Sequence, residues 1–268
     1  VKKTFATYRR IGHRTVAGWL APEVMEALVA IDERQRERKI AGAIAEIGVH
    51  HGRLFIALNL LRRNGEKAVA IDVFGCQELN IDQSGKGDLE RFRANVERWS
   101  SSNGVEVHQG DSTLLQPNAL QELAGGKVRL FSVDGGHTES IVYSDMNLAA
   151  ACLVSGGVLI ADDVFNGDWP GVATGTLRYM AQPDALVPFA IGFNKVFFSR
   201  PECAADYRAC VQAHFRRRPL EMTKLSEYAG CEVLVISRVP RRPRAMLSRN
   251  ELARELYRRI QQITRSKV

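Results

Sequence analysis

The stretch AIAEIGVHHG, residues 43–52, decides the reading of this chain. An apolar run ends in Gly48, and Gly52 follows four residues later. Beyond it, Leu54, Ala57, Leu58 and Leu61 recur at helical spacing. The segment therefore predicts a strand, a tight turn and a helix over His51 to Arg63. Gly48 permits the turn, and Gly52 lets the helix approach the strand closely. The dinucleotide fingerprint GxGxxG is absent, which counts against NAD. Taken alone, the loop reads equally well as an ordinary strand-to-helix connection.

Working outward, the same alternation recurs. Apolar strands are expected over Ala68 to Asp72, Val105 to Gln109, Val128 to Asp134 and Val158 to Asp162, with helices over Pro22 to Lys39, Asp88 to Trp99, Gln116 to Leu123 and Ser140 to Leu153. Continuous apolar strands separated by helices imply a parallel sheet covered on both faces, and right-handed crossovers make it doubly wound. After the fifth strand the pattern changes. Val187 to Ile191 and Lys195 to Ser199 flank a Gly192-Phe193-Asn194 turn, and Cys231 to Ser237 is another strand. The fold class is α/β: a Rossmann-like sheet, mostly parallel, with an antiparallel closing edge. Three segments follow: an N-terminal helical segment at 1–42, the core domain at 43–238, and a basic linker and helix at 239–268. The last is expected to pack on the surface or on a second subunit.

The chain has 268 residues, enough for one large core. Five scattered cysteines without metal spacing suit a reducing cytoplasm. The most apolar stretch, Leu148 to Ala161, is too short for a membrane span and is broken by Ser155, Gly156 and Gly157. The net charge of +7 is clustered at Arg9-Arg10, Arg216 to Arg218, Arg241-Arg242 and the last twenty residues, so it names no partner by itself.

In doubly wound sheets ligands bind beyond the carboxyl ends of the strands. The first strand carries Glu46 before its glycine turn, and the second ends in Asp72, where a carboxylate can accept both ribose hydroxyls of a nucleoside. The third is followed by Gly110-Asp111-Ser112, where a short acid can accept an adenine amino group. Each acid singly reads as a solvated turn or a helix cap. Three in succession behind a glycine loop read as a cofactor site. In this order EIGVHHG, AIDVF, QGDS and SVDGGH resemble the class I S-adenosylmethionine (SAM) dependent methyltransferases over roughly residues 43–163. The resemblance implies that Gly48 and Gly52 border the methionine end of SAM, with Glu46 and Asp72 as the acidic positions of the first two motifs. It places Asp111 and Ser112 at the adenine, and Asp134 borders the cofactor.

The fourth strand ends in Asp134 and the fifth in Asp162-Asp163. On adjacent strands these carboxylates converge and raise one another's pKa, a conflict that a hard divalent cation such as Mg²⁺ resolves. No cation is evident nearby in the sequence. The alternative is that Asp162 caps the following loop and Asp163 faces solvent. The run VDGGH followed by LVSGGVLIADDVFNGDWPGV is similar to the metal-dependent sugar O-methyltransferases of macrolide and aminocoumarin pathways, and to cephalosporin hydroxylase-like proteins. That resemblance implies Asp134, Asp162 and Asp163 as metal ligands. Its usual acid two residues after the first ligand is replaced here by Gly136, and His137 is the substitute base, or else a cap of the next helix. Trp169-Pro170-Gly171 reads as a lid or a rigid turn, and Ser84 to Asp88 as a loop closing over ligand or a disordered one.

The leading expectation is Mg²⁺-assisted methyl transfer from SAM to a hydroxyl of a sugar-containing small molecule. The charge motivates a second, an RNA methyltransferase; the absence of an aromatic-and-basic RNA module speaks against it. A third is a hydroxylase-like or non-catalytic SAM-binding relative.

Overall fold

A computed structural model describes residues 3–239; the C-terminal helix expected from Leu247 lies outside the described residues. In chain order the elements are α1 (Phe5–Arg10), α2 (Pro22–Glu37), β1 (Ala43–Ile47), α3 (Arg53–Leu61), β2 (Ala68–Asp72), α4 (Leu89–Trp99), β3 (Val105–Gln109), α5 (Pro117–Ala124), β4 (Val128–Val133), α6 (Glu139–Cys152), β5 (Leu153–Ala161), α7 (Pro170–Met180), β6 (Val187–Gly192), β7 (Lys195–Ser199), α8 (Pro201–Arg216), β8 (Glu221–Tyr228) and β9 (Cys231–Arg238). They build one nine-stranded sheet in the order β3-β2-β1-β4-β5-β7-β6-β9-β8. No helix among the described residues is long and apolar enough to cross a membrane.

Strands β3 to β5 pair in parallel, as the apolar runs imply. The strand order reverses between β1 and β4, which opens the ligand crevice at their carboxyl ends. Beyond β5 the arrangement differs from a simple antiparallel edge. Only β7 and the outermost β8 run against the body, because β6 pairs antiparallel to β7 and parallel to β9. The fifth strand begins at Leu153, five residues before the expected Val158, because Gly156 takes a left-handed φ of 79° that lets the chain continue through it.

Alternation along the strands divides the core. Ile44, Leu130, Val158, Ile160 and Phe197 join α2, α3, α4 and α8 on one face. Ala45, Ile47, Val133, Leu159 and Ala161 join α5, α6 and α7 on the other. The N-terminal Tyr8, Val16, Met25 and Leu28 are buried within the first of these clusters.

The sheet is fastened at the end opposite the strand tips. Arg129, fully buried near the start of β4, donates to the Glu66 carboxylate at 2.9 Å, to Gln35 Oε1 at 2.9 Å and to the Leu61 carbonyl at 2.9 Å. It also lies 2.9 Å from Asp32 Oδ1 on α2. One guanidinium thus ties α2, α3 and the entry to β2 to the central strand. Arg129→Met is expected to cost about 3–5 kcal/mol, because it leaves the buried Glu66 carboxylate without a cationic partner, while Asp32 keeps Arg36 and Arg63. Urea denaturation measures the loss.

Candidate active site

The strand tips surround a cleft of about 490 Å³. Its shape begins at Gly48, which has a φ of 80°. A Cβ there would stand 1.6 Å from the Asp134 carbonyl oxygen, so only glycine lets the β1 and β4 tips approach this closely. Gly52, with a φ of 88°, precedes α3 and packs its backbone against Phe92.

On the β1–β3 side the expected cofactor residues line one wall. Asp72 Oδ2 accepts the His50 amide at 2.7 Å and Oδ1 the Phe74 amide at 2.6 Å. Burial raises its pKa, and those two N–H groups offset part of the rise. Each oxygen retains a second lone pair for a hydroxyl. Gly85 and Gly87 lie against this wall; a Cβ on Gly87 would come within 2.8 Å of Asp72 Oδ1. The 84–88 loop therefore sits at the cleft. Asp111 lines the cleft and also caps a short turn, accepting from the Thr113 amide at 2.9 Å. Ser112 adjoins it. Behind this wall lies Asp145 of α6, fully buried, with neither carboxylate oxygen hydrogen-bonded. Burial pushes its pKa up to about 7; the Ser112 side chain lowers it and Asp111 raises it.

On the β4–β5 side Asp134, Asp162 and Asp163 line the same cleft, but they do not form one set. The expectation that nothing cationic offsets them is corrected by Lys195. This lysine opens β7 and is 2% exposed; its ammonium is ion-paired with Asp162 Oδ2. Because Ala161 pairs with Val196, the antiparallel register sets Lys195 beside Asp162. The other Asp162 oxygen accepts the Asp163 amide at 2.9 Å, so Asp162 is occupied on both sides. Burial lowers the Lys195 pKa, but Asp162, Asp134 and Glu46 outweigh it and the net shift is upward. Glu46 lies on the same sheet face beside Ser132; its Oε2 and the Ser132 hydroxyl have no partner. Burial first, then the Asp134 charge, raises the Glu46 pKa well above the ordinary value. Asp134 is raised likewise by burial and by Asp162.

The group that does converge is Asp134, His137 and Asp163, each offering one ligand atom within 4.8 Å of the others. Asp163 reaches it from a left-handed backbone, φ 55°, an uncommon state for a non-glycine residue. His137 is not the helix cap; the Thr138 side chain caps α6. Instead the imidazole is held on three sides. Nδ1 lies 2.9 Å from Asp82 Oδ2, which also accepts the His137 amide. Nε2 lies 3.6 Å from Asp163 Oδ2, and the Trp169 indole stacks on the ring at 4.4 Å. Burial lowers the His137 pKa, but the Asp163 and Asp82 carboxylates beside the ring reverse this and raise it overall. Burial likewise raises Asp82, yet hydrogen bonds from Ser84 and His137 bring it down to about 2.

Sequence reasoning misses Lys195 and Asp82. Neither belongs to a motif; one depends on the register of a returning strand, the other on a loop crossing the cleft.

The sequence model of the family described as a methyltransferase domain matches residues 45–164, the span from β1 to just past β5. Over those residues the chain is similar to that domain. Two solved structures resemble it in fold. The O-methyltransferase NovP is 17% identical with a TM-score of 0.54, the match covering 66% of this chain and 80% of that one. The O-methyltransferase TomG from Streptomyces achromogenes, involved in tomaymycin synthesis and solved with SAM, is 15% identical with a TM-score of 0.51, covering 73% and 89%. No curated protein sequence matches the chain. In this chain the glycine turn and the strand-end acids lie at the strand tips, where sheets of this kind bind ligands.

The buried Asp145 makes a prediction for this protein. Its folded pKa lies above the unfolded value, so ionisation penalises the folded state. The penalty is absent below about pH 4, grows through pH 7 and stays constant above it. Asp145→Asn is therefore expected to gain stability over wild type at pH 8, on the order of 1 kcal/mol or more, and to gain little at pH 4.5. Guanidinium unfolding at the two pH values checks this; an equal effect at both would contradict it.

Proposed function

We propose that the protein transfers the SAM methyl group to a hydroxyl of a sugar or glycosylated small molecule, with a divalent cation held by Asp134, His137 and Asp163. The observation that carries this is the convergence of those three ligand atoms within 4.8 Å, in the same cleft as Gly48, Asp72 and Asp111. The donor set fits a divalent cation: two carboxylates and one imidazole whose other nitrogen is fixed by a second carboxylate, a common support for a ligating histidine. With Asp162 tied to Lys195, the reading changes the expected ligand set by exchanging Asp162 for His137. A mixed oxygen and nitrogen set takes Mn²⁺ at least as well as Mg²⁺.

The sulfonium is already activated, so alignment and deprotonation of the acceptor are what the protein must supply. Asp72 and Asp111 hold the nucleoside half of SAM, and Gly48 and Gly52 let its methionine half lie against the backbone. Asp82 fixes the His137 ring through Nδ1 and directs Nε2 toward Asp163. Lys195 holds Asp162 in place and thereby the turn that carries Asp163. A bound divalent cation would lower the pKa of the acceptor hydroxyl and orient it.

One observation favours a second reading. The Asp82–His137 pair has the arrangement of an oriented general base, in which Nε2 takes the hydroxyl proton and Asp82 stabilises the imidazolium. The two readings part in one assay. Under the leading one, EDTA abolishes methyl transfer and Mn²⁺ or Mg²⁺ restores it, whereas full activity in EDTA assigns the work to His137 alone. Under both, Asp72→Ala is expected to weaken S-adenosylhomocysteine binding by about tenfold or more, the scale of a lost charge-assisted hydrogen bond. Calorimetry measures it. Asp134→Asn should leave that affinity within about threefold while turnover falls by about 10² or more, the scale of a lost transition-state contact.

A further inference from the structure

Three of the exposed large apolar side chains of this protein gather at one place. Trp19 is 80% exposed, Ile81 71% and Leu79 40%, and all three line the active-site cleft. Large apolar groups left exposed together mark a binding surface. Their supports are ordered. Leu79 and Ile81 project from a loop in which Asn80 Nδ2 donates to the Ser84 carbonyl at 2.7 Å and to Gln77 Oε1 at 2.9 Å. The next residue, Asp82, grips His137. The apolar rim is therefore fastened directly to the candidate reaction centre. Trp19 lies against His50 with ring centroids 5.9 Å apart, and the Gly18 carbonyl beside it accepts from Arg53.

The charge of the cleft narrows what can lie there. Six aspartates line it: Asp72, Asp111, Asp134, Asp162, Asp163 and Asp168. Among the described residues lining it there is no arginine, and the single lysine, Lys195, is taken up by Asp162. Even with a sulfonium cofactor and a divalent cation bound, carboxylates outnumber cationic charges. A diphosphate would meet repulsion and no bidentate donor. The clustered arginines that make the chain basic lie elsewhere in the sequence.

We infer that the acceptor is a phosphate-free hydroxyl compound, neutral or cationic, whose hydroxyl-bearing ring adjoins a flat apolar group that lies on Trp19, Leu79 and Ile81. This rests on the methyl-transfer reading above and deepens it. It sets aside sugar nucleotides and nucleic acids as acceptors.

The test uses the full chain saturated with S-adenosylhomocysteine. The probes are a panel of p-nitrophenyl glycosides, the matching methyl glycosides, and UDP- and TDP-glucose, with binding read by calorimetry. At least one aryl glycoside is expected to bind about tenfold or more tightly than its methyl counterpart, the scale of one buried aromatic contact, and the sugar nucleotides more weakly than either. In Ile81→Ser and Trp19→Ala the aryl-to-methyl affinity ratio should fall several-fold toward one. Sugar nucleotides binding tightest, no aryl preference anywhere in the panel, or an unchanged ratio in both variants would each overturn the inference. Those outcomes leave methyl transfer standing, because S-adenosylhomocysteine binding is measured first. Its failure would remove the underlying reading and this one with it.

Discussion

The ion pair between Lys195 and Asp162 is the constraint on which the strand tips depend. Glu46, Asp134 and Asp162 are brought together on one sheet face, where burial and neighbouring carboxylates oppose ionisation of Glu46 and Asp134. Lys195 supplies the positive charge that lets such a group of acids remain in the interior. It comes from β7, the first strand to run against the parallel body, and only that reversal sets its first residue beside the end of β5. Asp162, held by the lysine on one oxygen, receives the next amide on the other. The chain then turns through a left-handed residue, and the carboxylate facing His137 becomes Asp163. The buried pair that the reversed strand makes thus precedes the left-handed turn and the reactive group that the turn completes.

The parallel half of the fold is legible in the sequence because its inner strands β1, β2, β4 and β5 are buried on both faces and read as apolar runs. Helix α8 carries its own signal: Ala204, Tyr207, Val211 and Phe215 recur at helical spacing after Pro201. Helix α7 also begins at a proline, which reads equally as a turn; the chain uses it in both ways, with Trp169 stacked on His137 and Pro170 opening the helix. Strand β8, EMTKLSEY, is mostly exposed at the sheet edge, so no apolar alternation announces it.

The candidate site is legible to the same depth. Strand-end acids can be read because each sits at a position the parallel topology fixes in advance. Lys195 cannot be read that way. In KVFFS a lysine after a turn is indistinguishable from a solvated one until the pairing of β7 is known. Asp82 lies in a stretch without periodicity and meets His137 across 55 residues of sequence. Asp162-Asp163 shows the limit most plainly. Neighbouring carboxylates look equivalent as letters, and a single positive φ sends one to a buried lysine and the other to an imidazole.

The acidity of the cleft has two opposing effects on methyl transfer. It favours a cationic sulfonium, so under the proposed function it would help hold SAM and discriminate against the neutral product left after transfer. Binding of this kind acts on the ground state, however, and does not itself speed the reaction. At the same time, every carboxylate near the acceptor resists loss of the hydroxyl proton, because the negative oxygen that forms would be repelled. An acidic methyl-transfer site therefore needs a positive or proton-accepting element at the attack point, stronger than the background field around it. Lys195 does not meet that need, since its charge is already committed to Asp162. The place that remains is bounded by Asp134, His137 and Asp163, where Asp82 orients the imidazole and a divalent cation would find its ligands. Here the demand of the chemistry and the convergence of side chains coincide. For the same reason His137 would act at the reaction centre under either proposed account of how the hydroxyl is activated.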